Sequence, residues 1–282
     1  MIGETAVVTD SASYLPAKVV EDFGISVVPI TVIVDGETRE EFVTIHSREF
    51  YDLLRKGSKV RTSQPPPGRF LNEYERLAAA GAKRIVSLHM GAALSGTVNG
   101  ARIAAAMASI PVHVIDTGQA SFIEGLCVWE ACDVLAAGGS PEDAANAVER
   151  ASGQSGNVFI VGGLTLLREG GRAIDRSVEA VSGVPVLAYV DGAIRPIGSA
   201  ATILEAMDAM VSWLQAAMER APEKRFRVGV GNGDADELAA ELERRVRELP
   251  GASEVIPYTI GPAVGAHTGS GCTGLSFLGL PI

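Results

Sequence analysis

Three short polar stretches of this chain carry side chains able to hold an anion. In Leu94-Ser95-Gly96-Thr97 a hydroxyl and free backbone N–H groups fall where a helix is expected to begin. The first turn of a helix offers unsatisfied donors and the positive end of its dipole, which suits a carboxylate or a phosphate; the same serine also reads as a plain N-cap. Thr62-Ser63-Gln64-Pro65 adds two hydroxyls next to the run Pro65-Pro66-Pro67, rigid enough to aim a donor or simply a loop entering a helix. His267 is the one histidine of four set in a glycine-flanked, otherwise apolar run, Gly261 to Gly269, where an imidazole either meets a ligand or needs partners of its own. His46 and His113 read as surface or strand-edge residues, and His89 as a neighbour of the Ser95 loop. Arg172, after the Gly170-Gly171 break, reads as an exposed arginine.

Other chemistries lack their residues. Gly269-Ser270-Gly271-Cys272-Thr273-Gly274 spells GxGxxG, but only eight residues follow, too few for the helix and second strand of a dinucleotide-binding unit. Gly229-Val230-Gly231-Asn232-Gly233-Asp234 has the strand-to-helix context, yet Asp234 occupies the third glycine position and its charge opposes a pyrophosphate, so a tight turn is expected. There is no GxxxxGK[ST] for ATP, no HExxH, DxDxDG or clustered Cys/His spacing for a metal, and no GxSxG around Ser95. Cys127, Cys132 and Cys272 are odd in number without CxxC spacing, which suggests reduced thiols in a cytoplasmic protein and small core residues.

These groups must be positioned by a chain of 282 residues, long enough for about two domains. Hydrophobic residues make up 47% and charged residues 21%, a folded globular composition. A net charge of −10 repels nucleic-acid phosphates and anionic headgroups, and no stretch approaches the run of about 18 apolar residues that a spanning helix needs. Strand and helix alternate from Thr5 onward. Ile25 to Val34 reads as one strand before the Asp35-Gly36 turn and a returning hairpin, Ser47 starts a helix to about Lys56, and Thr62 to Gly68 reads as a turn cluster. A helix is expected from Ser95 to Ser109. In the second half, strands are expected over Val158–Val161, Val184–Val190, Phe226–Gly231 and Glu254–Ile260, with a hairpin at Asp191-Gly192. Gly153, Ser155 and Gly156 suggest a boundary, giving an N-terminal α/β domain over 1–155 with a mainly parallel sheet. A C-terminal α/β domain over 156–282 follows, with a mixed or antiparallel sheet.

In order along the chain, Val8-Thr9-Asp10-Ser11, Thr62-Ser63-Gln64-Pro65, Leu94-Ser95-Gly96-Thr97, Asp116-Thr117, Gly170-Gly171-Arg172 and Gly265-Ala266-His267-Thr268-Gly269 resemble the DegV family of bacterial fatty-acid-binding proteins. The resemblance spans nearly the whole chain. It implies a two-domain α/β protein, no cofactor, and a long-chain fatty acid in a tunnel near the domain interface. The carboxylate would be held by groups matching Thr62, Ser95 and His267, with Ser63, Gly96 and Thr268 beside them. It further implies a partner, a separate ATP-dependent fatty-acid kinase that makes an acyl phosphate, with Arg172 serving the transfer. The chain departs from the family at Leu164-Thr165-Leu166-Leu167, where a tyrosine is common, at Val184-Pro185, where Lys-Pro is common, and at Ser199-Ala200-Ala201-Thr202, which lacks a basic residue. These departures touch the kinase-facing surface and the tunnel lining more than the carboxylate donors. A competing expectation from another class is an enzyme acting on a small carbonyl or acyl substrate, with His267 or Ser95 as nucleophile.

Overall fold

The structure is a computed structural model that describes residues 1–169, 182–190 and 192–281. The chain divides into two compact units: Met1–His46 with Lys59–Gly153, and Ser47–Ser58 with Gln154–Ile282.

The first unit opens with β1 (Thr5–Asp10), buried along its whole length as befits a central strand of a parallel sheet. A 3-10 turn at Ser11–Ser13 and helix α1 (Ala17–Phe23) lead to β2 (Ser26–Val28), which pairs in parallel with β1. The strand expected over Ile25 to Val34 is interrupted. Pro29 cannot donate to a ladder, β2 stops before it, and β3 (Thr31–Val34) joins a different sheet. There it pairs antiparallel with β4 (Glu37–Glu40) and, beyond α2 (Ser47–Arg55), with β5 (Val60–Ser63). Helix α3 (Pro67–Ala79) starts with proline at its first position, where the missing N–H costs nothing. It is followed by β6 (Arg84–His89), α4 (Thr97–Ala105) and β7 (Val112–Asp116). Helices α5 (Phe122–Ala136) and α6 (Pro141–Gln154) complete this half of the chain. The sheet order is β2-β1-β6-β7, all parallel. Its core gathers Val8, Phe70, Tyr74, Leu77, Ile85 and Ala101.

The second unit is built on a six-stranded mixed sheet ordered β10-β9-β8-β13-β11-β12. Its elements are β8 (Ser155–Ile160), α7 (Leu164–Glu169), β9 (Val184–Val190), β10 (Ala193–Ala200) and α8 (Ile203–Arg220). β11 (Lys224–Gly233), α9 (Asp236–Arg247), β12 (Ala252–Thr259), α10 (Pro262–Thr268) and β13 (Cys272–Pro281) follow. The β9–β10 hairpin is antiparallel, as its turn dipeptide implied. Helix α8 is capped reciprocally: Glu205 N–H donates to Thr202 Oγ1 at 3.2 Å and Ala201 N–H to Glu205 Oε2 at 2.9 Å.

Three further points depart from the sequence expectations. β13 lies between β8 and β11, antiparallel to both and buried up to its last residue. The GxGxxG run is its entry: Gly269 and Gly271 take φ of +79° and +95°, and a Cβ on Gly274 would fall 2.4 Å from that of Phe159 on β8. Thr62 and Ser63 lie in β5 rather than in a turn. A division at 155/156 puts Ser47–Ser58 in the first unit, whereas this segment packs with the second. The reason is steric fit: a Cβ on Gly265 of α10 would fall 3.0 Å from the Phe50 ring and 2.6 Å from the Tyr51 hydroxyl of α2, so the helices meet where side chains are smallest.

Candidate functional site

In the first unit, Ser95 belongs to the loop between β6 and α4, at the carboxyl ends of the parallel strands where open α/β sheets place their ligands. Neighbouring strand ends hold this loop through three successive amides. Met90 N–H donates to Asp10 Oδ2 at 3.2 Å, Gly91 N–H to the Gln119 carbonyl at 2.7 Å, and Ala92 N–H to both Asp116 carboxylate oxygens at 3.3 Å. Thr117 ties in from β7, its hydroxyl donating to the His89 carbonyl at 2.9 Å. Asp10 and Asp116-Thr117, two of the sequence motifs, thus act as clamps on the Ser95 loop. The helix starts at Thr97 with Gly96 as its N-cap residue, two positions later than expected. Ser95 Oγ accepts from Thr97 N–H at 3.3 Å and shares a hydrogen bond with Thr97 Oγ1 at 2.8 Å. The serine therefore takes up the first amide of the helix from one position before its N-cap and keeps a polar oxygen at the helix mouth, and neither of these partners is a base that would make it a nucleophile.

Thr62 and Ser63 are successive residues of β5, so their side chains point to opposite faces of the three-stranded sheet. Thr62 is half-buried and Ser63 exposed, its hydroxyl donating to the Gln64 main-chain carbonyl at 3.5 Å. The segment beyond β5 lies against α4. A Cβ on Gly100 would fall 3.2 Å from the Pro65 carbonyl oxygen, and one on Gly96 would collide with the Gln64 side chain. Gly96 at the N-cap and Gly100 one turn into α4 let two separate motifs touch.

His267 and Thr268 belong to the second unit, at the end of α10. His267 is half-buried, and the Thr268 hydroxyl is spent on the Val264 carbonyl at 3.3 Å, so Thr268 serves the helix. Helix α2 supports this end of the unit: the Tyr51 hydroxyl donates to the Ile260 carbonyl, and Arg55 pairs with Asp234, which also accepts from Ser270 Oγ. Burial opposes ionisation of Asp234, but the Arg55 and Ser270 hydrogen bonds prevail and hold its carboxyl below the usual range. Arg172 lies outside the described residues.

The sequence did not reveal a buried chain of polar groups beneath the Ser95 loop. His89 Nδ1 meets Asp10 Oδ2 at 3.1 Å, His89 Nε2 meets Ser87 Oγ at 2.7 Å, and Ser87 Oγ meets the Tyr74 hydroxyl at 2.8 Å. The order matches a serine-hydrolase triad, yet Asp10, Ser87, His89 and Tyr74 are all 0% exposed and Ser87 is bound on its far side by Tyr74. The chain is a strut rather than a nucleophile, and burial pushes the Tyr74 hydroxyl up to about 12. The signal was the alternation Ser87-x-His89 on a strand adjoining the one that ends in Asp10. Beside it, burial, then the charges of Asp10 and Glu41, push the fully buried Glu124 carboxyl well above its ordinary range. The three cysteines are unpaired and buried, and burial raises the thiols of Cys132 and Cys272 to about 12, far from a reactive thiolate. Among the described residues no group of three His, Cys, Asp or Glu is placed to hold a metal ion, and no helix is long and apolar enough to cross a membrane.

Together these features define a two-unit α/β protein, one unit on a parallel sheet and the other on a mixed sheet, with a clamped hydroxyl loop at the strand ends of the first. A family model described as "Uncharacterised protein, DegV family" matches residues 4–279. A DegV domain-containing protein of Streptomyces coelicolor is 36% identical over 281 residues, 98% of each chain. The structure of a DegV family protein from Thermus thermophilus, described as binding fatty acid, is similar with a TM-score of 0.91 and 29% identity, covering 98% of this chain and 99% of that one. DegV of Bacillus subtilis, described as a fatty acid binding protein, is similar with a TM-score of 0.87 and 26% identity over the same shares. The chain belongs to the DegV family.

Proposed function

We propose that this protein is a non-catalytic carrier that binds one long-chain fatty acid and presents its carboxylate to a separate ATP-dependent fatty-acid kinase for conversion to an acyl phosphate. The observation that carries the binding part is the full-length likeness to the Thermus and Bacillus proteins described as fatty-acid-binding. The Ser95 loop supports it chemically: a carboxylate leaving water needs donors, and this loop, held rigid by Asp10 and Asp116, keeps a hydroxyl at a helix mouth. Thr62 and Ser95 from the first unit and His267 from the second are the proposed carboxylate ligands. The placement of Ser63 and Thr268 favours them less. Affinity comes from the tail: at about 0.8 kcal/mol per buried CH₂, roughly 16 carbons give a gross driving force of about 10 kcal/mol before ordering costs. Arg172 is proposed to serve the kinase.

Native mass spectrometry of the purified protein, followed by organic extraction, tests the carrier reading. A stoichiometric long-chain fatty acid is expected. A protein that is empty and takes up no added fatty acid overturns the reading. Arg172→Ala is expected to retain lipid binding while losing phosphorylation by the kinase.

A further inference from the structure

A methyl group has no room on Gly96. An ideal Cβ there falls 1.5 Å from Oε1 and 2.7 Å from Cδ of Gln64, with Nε2 at 3.5 Å, so the Gln64 carboxamide lies folded onto the backbone of the residue next to Ser95. No hydrogen bond to a described residue holds it there. The side chain is exposed, the bond at Gln64 is the one its main-chain carbonyl accepts from Ser63, and among the described residues no group pairs with its Oε1 or Nε2. An exposed glutamine ordinarily keeps its rotamer freedom. Here the following Pro65-Pro66-Pro67 restricts the backbone, and the Pro65 carbonyl is lodged against Gly100 one turn further along α4.

A carboxamide carries two N–H donors and no charge. Placed beside a hydroxyl at a helix mouth, it adds a donor for an anion without adding a charge. We infer that Gln64 contacts the ligand head group and makes the site prefer a carboxylate over an uncharged head group on the same tail. This role rests on the fatty-acid reading of the Ser95 loop, and it assigns to Gln64 the head-group selectivity of that site.

The test measures binding of palmitate and of hexadecanol, which share a tail length, to the full-length protein and to its Gln64→Leu and Gln64→Glu variants by isothermal titration calorimetry at neutral pH. Gln64→Leu keeps the bulk and removes the donors, so palmitate is expected to bind about tenfold more weakly, the loss of one hydrogen bond to a charged group. Gln64→Glu sets like charges together and is expected to lose more, while hexadecanol stays within about twofold in both variants. Palmitate affinity unchanged in Gln64→Glu, or equal losses for palmitate and hexadecanol, overturns the role of Gln64 and leaves the carrier reading standing. Failure of the unmodified protein to bind palmitate overturns both.

Discussion

The Tyr51 hydroxyl donates to the Ile260 carbonyl at 3.0 Å, joining residues 209 positions apart and fixing α2 against the turn that launches the His267 helix. Tyr51 is 2% exposed, so its hydroxyl and ring are spent inside the second unit. Tyr51→Phe removes one hydrogen bond and leaves a buried carbonyl short of a donor, which should cost about 1–3 kcal/mol. Tyr51→Ala also empties the ring's space and should cost about 3–5 kcal/mol. Urea unfolding measures both; equal stabilities for the two variants would show that α2 does not brace this unit.

The clamp on the Ser95 loop separates acceptor from charge. Asp116→Ala leaves Ala92 N–H and Gly118 N–H without their carboxylate and should weaken fatty-acid binding by about 1–2 kcal/mol, whereas Asp116→Asn retains an acceptor oxygen and should recover much of the loss. Titration calorimetry on both variants decides it, with near-native melting temperatures expected because Asp116 reaches solvent.

Gly91 is constrained by its neighbour in space. A Cβ there would fall 2.8 Å from the carbonyl carbon of Gly118, backbone that cannot turn aside as a side chain can. Gly91→Ala should destabilise by about 1–3 kcal/mol through overpacking. Gly57→Ala, where a Cβ meets nothing within 4 Å, is a control for the steric part of this cost, although its φ of +88° adds strain of its own. Thermal unfolding that leaves Gly91→Ala at the native midpoint would contradict the clamp.

Glu124 gives a pH dependence of definite sign. Its folded carboxyl binds its proton more tightly than in the unfolded chain, because burial and the facing Asp10 and Glu41 disfavour the charge and the nearby Thr9 hydroxyl offsets only part of this. Its contribution is fully present below the unfolded value near 4.5 and is lost as pH rises toward the folded value. Glu124→Gln removes that loss, so its melting temperature relative to the unmodified protein should climb between pH 5 and pH 8. A difference that stays flat across that range would place the titration elsewhere.

Much of this arrangement was legible in the residues, and the parts that were not share a cause. Long periodic segments such as Ile203–Arg220, and the paired sheets of the two halves, followed from local pattern and cap chemistry. Pro29 alone splits one apolar run between two sheets, a boundary visible in the sequence once its missing N–H is weighed. β13 was hidden because the glycines at its start suggest a loop, whereas Gly274 is there to admit Phe159 from the next strand, a neighbour far back along the chain. The Asp10–His89–Ser87–Tyr74 chain needed the register of β1 and β6 to be seen. The motif residues of the candidate site were conspicuous from the start, but their division between clamps, caps and exposed donors depended on which strand end each one reached.

The passage of α2 out of the first unit and back has a consequence for how the protein is made. Chain emerging from the ribosome delivers Ser47–Ser58 about two hundred residues before Ile260 and α10 exist to receive it. During that interval Phe50 and Tyr51 have lost none of their apolar surface to their final neighbours, so a nascent chain stalled near residue 153 would display a sticky amphipathic helix and be a natural client for a chaperone. No single cut can yield both units whole, and dissection or gene fusion at one junction would strand a helix on the wrong side.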